Sequence, residues 1–282
     1  MKRIVTVQDI SCLGKCSLTV ALPIISAMGV EACVIPTAVL STHTAFDGFT
    51  FRDLTDDIPE VVDHWVKEGF RFDAVYTGYL GSEKQIDIVA ELFDRLKNEN
   101  TLIIVDPAMG DMGKLYKGFT PEFAKKMGLL CAKADIAVPN ITEAAYMLDR
   151  PYIDSGYGRD YIEDMLIALA ELGAKKAVLT GVSFEKGKIG VMGYDSEKKE
   201  FFEYYNDEVD SRYHGTGDVF ASCLTGALMN GLSIENALRL SADFTAECIA
   251  LTKENVGDNA YGVDFELCMA SLIKGLEELK KN

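Results

Sequence analysis

His214-Gly215-Thr216-Gly217-Asp218-Val219-Phe220 is the stretch from which the chain is best read. Two glycines flank a threonine, an aspartate follows at once, and the apolar run Val219–Leu224 predicts a buried helix. Glycines let a backbone turn tightly with consecutive N–H groups pointing the same way. The first N–H groups of a helix have no partners within it and carry the positive end of its dipole, so turn and helix start together form a seat for an anion. An aspartate in that seat serves equally as an ordinary first-turn acid or as a base held beside a phosphate under attack. The motif alone does not choose between them, and a base of that kind needs companions elsewhere in the chain.

Outward from this turn, strands and helices alternate. Strands are predicted at Ile4–Val7, Ala32–Ile35, Ala74–Thr77, Leu102–Val105, Ile136–Val138 and Ala177–Thr180. Helices are predicted at Leu18–Ile25 (with Pro23 awkward inside it), Asp56–Gly69, about 83–97, from Pro121, and over 161–172. A hairpin-like pair, Ile189–Tyr194 and Glu200–Tyr205, and three closing helices complete the chain, while 36–53 fits no period and reads as a long loop. Such alternation argues for a mostly parallel sheet covered on both faces, an α/β protein. With no repeat, low-complexity tract or linker, residues 1–282 read as a single domain. In such sheets ligands bind beyond the carboxyl ends of the strands. Polar clusters fall there repeatedly, at Asp9, Gly78-Tyr79, Asp106, Asn140 and Thr180, which suggests one shared cleft.

Composition narrows the function. Lys+Arg 28 against Asp+Glu 44 gives a formal net charge of −16. A chain this acidic has no general attraction for nucleic acid or an anionic membrane, so a phosphorylated ligand must be held by backbone amides, a few cations and metal ions. The basic start Met1–Val7 is cut short by Gln8-Asp9, too early for a signal peptide, and no apolar stretch reaches membrane-spanning length. Seven scattered cysteines, with only Cys12 and Cys16 near neighbours, make no zinc site and suit reduced thiols in a cytoplasmic protein.

Phosphoryl transfer needs groups that hold phosphates, a metal that neutralises their charge, and a base or orienting group for the attacking hydroxyl. Asp106 and Asp111, five apart around a Gly turn, offer the hard oxygens that suit Mg²⁺, or are solvated turn acids. Asn140 and Glu143 lie three apart at a helix start, a spacing that also makes a capping box. Thr180 is a turn hydroxyl or a phosphate contact. Lys15 and Lys114 lie in glycine-containing loops and either steady a phosphate or face solvent. His43 has no second histidine close in sequence, which argues against a metal role, and Tyr79 reads first as packing. Gly14-Lys15-Cys16 lacks the upstream Gly and final Ser/Thr of a P-loop, Gly215-Thr216-Gly217 lacks a third Gly at Phe220, and no Gly-x-Ser-x-Gly elbow is present.

Taken together, six segments in order resemble the ribokinase-like small-molecule kinases, and among them the pyridoxal/pyridoxamine kinases of vitamin B6 salvage. They are Val7-Gln8-Asp9, Ser41-Thr42-His43-Thr44, Gly78–Ser82, Asp106–Asp111 with Gly113–Tyr116, Pro139-Asn140 with Glu143, and Gly215–Asp218. The resemblance implies a three-layer α/β/α fold with a small β/loop lid at 110–119 and ATP-dependent phosphorylation of the 5′-hydroxymethyl group of a B6 vitamer. It implies Asp218 as base and Gly215, Thr216 and Gly217 as the anion hole. Asp106, Asp111 and Glu143 would manage Mg²⁺, partly through water. Asn140 and Thr180 would contact the ATP phosphates, with Asp111, Glu143 and Lys114 also on the nucleotide side. Asp9, Thr44, Tyr79 and His43 would meet the pyridine ring. A homodimer and a monovalent cation such as K⁺ belong to the same implication. Two departures stand out: Asp9 replaces a common serine, which bears on vitamer choice, and Ala108 replaces a common valine. Hydroxymethylpyrimidine kinases, the nearest alternative, often carry a cysteine at the place of Asp218. A vitamer-binding protein without turnover is the alternative from another class, and it has no use for a base and a metal site together.

Overall fold

The computed structural model describes residues 1–256 and 261–281. Its strands are β1 (Arg3–Ser11), β2 (Glu31–Leu40), β3 (Phe51–Asp53), β4 (Ala74–Thr77), β5 (Leu102–Val105), β6 (Gly110–Asp111), β7 (Lys114–Leu115), β8 (Ile136–Ala137), β9 (Lys176–Val182), β10 (Lys188–Asp195) and β11 (Glu200–Asp207). The helices are α1 (Leu18–Ala27), α2 (Asp57–Lys67), α3 (Glu83–Leu96), α4 (Pro121–Cys131), α5 (Ile141–Met147), α6 (Arg159–Leu172), α7 (Thr216–Met229), α8 (Ile234–Val256) and α9 (Phe265–Leu279).

Nine strands form one sheet in the order β11-β10-β9-β8-β5-β4-β1-β2-β3, and β6 and β7 form a separate hairpin. Pairing is parallel from β2 across to β9, and antiparallel at the margins, where β3, β10 and β11 are added. The central strands β4, β5 and β8 are buried at nearly every position because both their faces are covered. Val5, Val7, Val75, Ile103 and Val105 point to one side and pack under α2, α3, α4, α5 and α6. Ile4, Ala74, Tyr76, Ile104 and Val178 point to the other, under α1, α7, α8 and α9. The architecture is the expected three-layer α/β/α with a mostly parallel sheet.

Three expectations need correction. Residues 36–53 are not one loop: β2 continues to Leu40 and β3 returns along it, leaving only 41–50 as loop. Pro36 hid this, since it reads as a breaker, yet the strand carries it beside Gln8, next to a register shift between β1 and β2. Strand β1 likewise runs past Val7 to Ser11, so Asp9 lies within a strand at that irregularity and not beyond its end. Thr180 is also inside its strand, because β9 continues to Val182. Pro23 does lie within α1, on its exposed side, where the lost N–H faces away from the core.

Candidate active site

The site gathers at the carboxyl ends of β1, β4, β5, β8 and β9. Helix α7 begins just after Gly215, whose φ of 78° puts it in the left-handed region, and a Cβ there would collide with the Lys15 carbonyl oxygen. Only glycine serves at that turn. Gly217 is different: a Cβ would meet nothing within 4 Å, so its open face is available to a ligand. Asp218 is half-buried in the first turn of α7 and accepts a hydrogen bond from the backbone N–H of Ser17. Ser17 itself holds an unusual backbone conformation (φ 50°, ψ −131°) at the start of α1, which aims that N–H. Burial, followed by the negative charge of Asp106, pushes the Asp218 carboxyl up to about 8.

Asp106, at the end of β5, is only 7% exposed, and its Oδ1 accepts from the Ala108 N–H at 3.1 Å. Burial and the nearby Glu143 push its carboxyl well up. Glu143 is 3% exposed and forms a reciprocal capping box with Asn140 at the start of α5. Its Oε1 accepts from Met109 at 2.9 Å and, more weakly, from Gly110 at 3.5 Å, while Oε2 accepts from the Asn140 N–H at 2.9 Å. Burial raises the Glu143 carboxyl against these bonds, with Asp111 adding to the shift. The Asn140 amide is engaged at both ends, accepting from the Glu143 N–H and donating to the Gly110 carbonyl at 2.8 Å. An isolated bridge sets Asn140 beside Thr180, whose N–H donates to the Pro139 carbonyl.

The segment expected as a lid is the β6–β7 hairpin, fastened to α5. Besides the Asn140–Gly110 bond, the Gly113 N–H donates to Thr142 at 2.9 Å and the Tyr146 hydroxyl donates to the Gly113 carbonyl at 3.2 Å. Asp111 is exposed, its Oδ1 accepting from Met112, and Lys114 stands exposed opposite it in the hairpin. Among the described residues no group of three His, Cys, Asp or Glu side chains is arranged to hold a metal ion. Asp106, Asp111 and Glu143 are thus not a closed cage. Their hard oxygens nonetheless suit Mg²⁺, which takes few protein carboxylates and keeps several waters.

On the substrate side, Asp9 is 3% exposed and its Oδ2 accepts from the Ser11 hydroxyl at 3.0 Å. Tyr79 is half-buried, its ring 5.4 Å from Phe119, which stacks on Phe123 at 4.1 Å. Burial, then Asp9, pushes its phenol up to about 12. His43 is buried, with its ring 4.8 Å from Phe46 and 5.1 Å from His214, lying over Gly14 where a Cβ would collide with it. The histidine thereby ties the 41–50 loop to the residue before the glycine turn. Thr44 is half-buried in that loop.

Lys15 does not point at this space. Its Nζ pairs with Asp264 at 2.6 Å and Glu266 at 2.8 Å and lies 5.9 Å from the centre of the Phe265 ring. Both carboxylates and the ring belong to the N-cap and first turn of α9, so the lysine braces the loop packed against Gly215.

A family model matches residues 21–264, and its description is phosphomethylpyrimidine kinase. The chain belongs to the phosphomethylpyrimidine kinase family. A Bacteroides thetaiotaomicron protein assigned to phosphomethylpyrimidine kinases shares 39% identity over 96% of this chain and 93% of its own, with a TM-score of 0.92. A second crystal form of that protein contains pyridoxal. The pyridoxal kinase of Lactobacillus plantarum is 29% identical, covers 99% of both chains and superposes with a TM-score of 0.88. A pyridoxal kinase of Pasteurella multocida is 25% identical over 275 residues, covering 90% of each chain. This phosphomethylpyrimidine kinase family member is therefore an enzyme, a small-molecule kinase of the ribokinase-like superfamily. No helix among the described residues is long and apolar enough to cross a membrane.

Sequence reasoning missed two participants. Tyr116, on the strand-end side of the hairpin, has its phenol pushed up by burial and by Glu143, Asp111, Asp218 and Asp106 together, which sets it among four carboxylates. Ser17 contributes a backbone N–H, which has no signature in the sequence.

Proposed function

We propose that the protein transfers the γ-phosphoryl group of ATP to the 5′-hydroxymethyl group of a B6 vitamer, pyridoxal, pyridoxamine or pyridoxine. The observation that carries this reading is the placement of Tyr79 and of Asp218, in the first turn of α7, near enough to Asp9 for its charge to raise the proton affinity of both. The vitamer ring occupies the space flanked by Asp9, Tyr79, His43 and Thr44, and its hydroxymethyl group reaches Asp218. As the hydroxyl oxygen bonds to the γ-phosphorus and the bond to ADP breaks, the hydroxyl proton passes to the Asp218 carboxylate. Backbone N–H groups of Gly215, Thr216 and Gly217 stabilise the phosphoryl oxygens during transfer.

Asp106, Asp111 and Glu143 would hold Mg²⁺, partly through water, and the ion would neutralise the phosphate charge. Asn140, whose amide also holds the hairpin, and Thr180 contact the phosphates, with Lys114 beside them. A monovalent cation such as K⁺ and a homodimer complete the proposal.

The test is release of ADP with ATP and Mg²⁺, in separate reactions with pyridoxal, pyridoxamine, pyridoxine and hydroxymethylpyrimidine. Turnover of B6 vitamers is the expected result, and exchange of K⁺ for Na⁺ in the same assay tests the cation. The family description favours hydroxymethylpyrimidine as a second substrate. Turnover of that compound alone overturns the B6 assignment. Vitamer binding with no turnover indicates a sequestering protein.

A further inference from the structure

Asp9 is an acid without a counter-charge. It lies on β1 at the irregularity between Gln8 and Ile10, where the pairing with β2 shifts register. The hydrogen-bond donors around its carboxylate are hydroxyls, from Ser11 and Ser17. No ion pair among the described residues includes it, and the titratable groups around it, Tyr79, Cys16 and Asp218, are neutral or acidic. Holding such a group in the interior costs free energy that two hydroxyls only partly offset. Beside it stands an aromatic ledge, Tyr79 backed by Phe119 and Phe123, suited to a flat ring. Asp218 is already committed to the reacting hydroxyl, so a cationic N–H on the far side of that ring is the group that matches Asp9.

We propose that Asp9 selects the substrate by charge, its carboxylate accepting the N–H of a protonated ring nitrogen, so that the enzyme binds an aromatic alcohol in its pyridinium form. This rests on the kinase reading above and deepens it. A neutral polyol leaves the carboxylate unmatched, and a pyrimidine, whose ring nitrogens are less basic, matches it less well. Charge-assisted hydrogen bonds are the strong ones, so the preference for a pyridine over a pyrimidine substrate is expected to be roughly 10–100-fold in kcat/KM.

The absorption spectrum of bound pyridoxine, with no ATP present, tests this directly, because a 3-hydroxypyridine absorbs differently with its ring nitrogen protonated. In buffer above the pKa of the free ring N–H, wild-type protein is expected to hold pyridoxine protonated, and Asp9→Asn to hold it unprotonated. Asp9→Ser is expected to lower the kcat/KM ratio of pyridoxine to hydroxymethylpyrimidine by the same 10–100-fold. An unprotonated spectrum on the wild-type protein overturns the Asp9 proposal without any variant needing to fold. If that protein still phosphorylates B6 vitamers, the kinase reading stands. Failure of the wild-type protein to bind pyridoxine overturns both.

Discussion

The role proposed for Asp218 as base and its place in the fold pull against each other. A base works best when its proton affinity lies near the working pH, and burial beside Asp106 lifts this carboxyl to about 8. The same lift weakens the fold. Because the folded state binds the proton more tightly than the unfolded chain, this contribution to stability is complete below the ordinary aspartate range and is lost as pH rises through about 8. Asp218→Asn is expected to lower kcat by roughly 10²–10⁴-fold while nucleotide binding survives. Its unfolding temperature should match that of the wild type in acid and exceed it increasingly as pH approaches 8, and thermal unfolding at several pH values checks this. Equal pH dependence in the two proteins would mean that the carboxyl is not buried as described. Residue types of this kind were readable in the sequence. Asp9, Asp106, Asn140, Glu143, Thr180 and Asp218 carry their chemistry in the side chain, and all stand along the strand-end side of the sheet. Ser17 was not readable, because its contribution is a backbone N–H aimed by a local conformation.

At the scale of the element, the glycine turn and α7 make a prediction that separates folding from chemistry. A Cβ at Gly215 meets the Lys15 carbonyl and sits at positive φ, whereas at Gly217 it meets nothing. Gly215→Ala is therefore expected to destabilise the protein by at least ~1–2 kcal/mol, the cost of the left-handed region alone. Gly217→Ala should unfold at nearly the wild-type temperature yet lose turnover, since its methyl enters the space given to the phosphoryl group. Parallel melting and kinetic measurements on the two variants decide the matter, and full activity in Gly217→Ala would move the phosphoryl group elsewhere. The β6–β7 hairpin shows where element-level reading ran out. Its strands are two residues each, too short to leave a periodic pattern, and its attachment runs through side chains of α5 some thirty residues on. Tyr116, read only as part of the segment Gly113–Tyr116, received no role of its own for that reason. Strand β2 was cut short because Pro36 reads as punctuation unless the neighbouring register is known.

For the whole molecule, a charge of −16 surrounds a site proposed to admit a polyanion. Long-range repulsion slows that encounter, and salt screens it. Raising ionic strength from roughly 0.01 to 0.15 M is expected to increase kcat/KM for the nucleotide, opposite in sign to a basic nucleotide-binding protein. A decrease would point to local cations, such as Lys114, outweighing the net charge. Sheet order was only partly legible from the sequence: alternation indicates parallel pairing, but not which strands become neighbours. The brace formed by Lys15 with Asp264 and Glu266 joins positions 249 and 251 residues apart. Chains are made from the N-terminus and fold as they emerge. Strands β1 to β9 are all synthesised before residue 264, yet the brace that Lys15 makes beside the turn at Gly215 forms only once that residue is free of the ribosome. A nascent chain can therefore possess its sheet and the Asp218 turn while that brace is still missing.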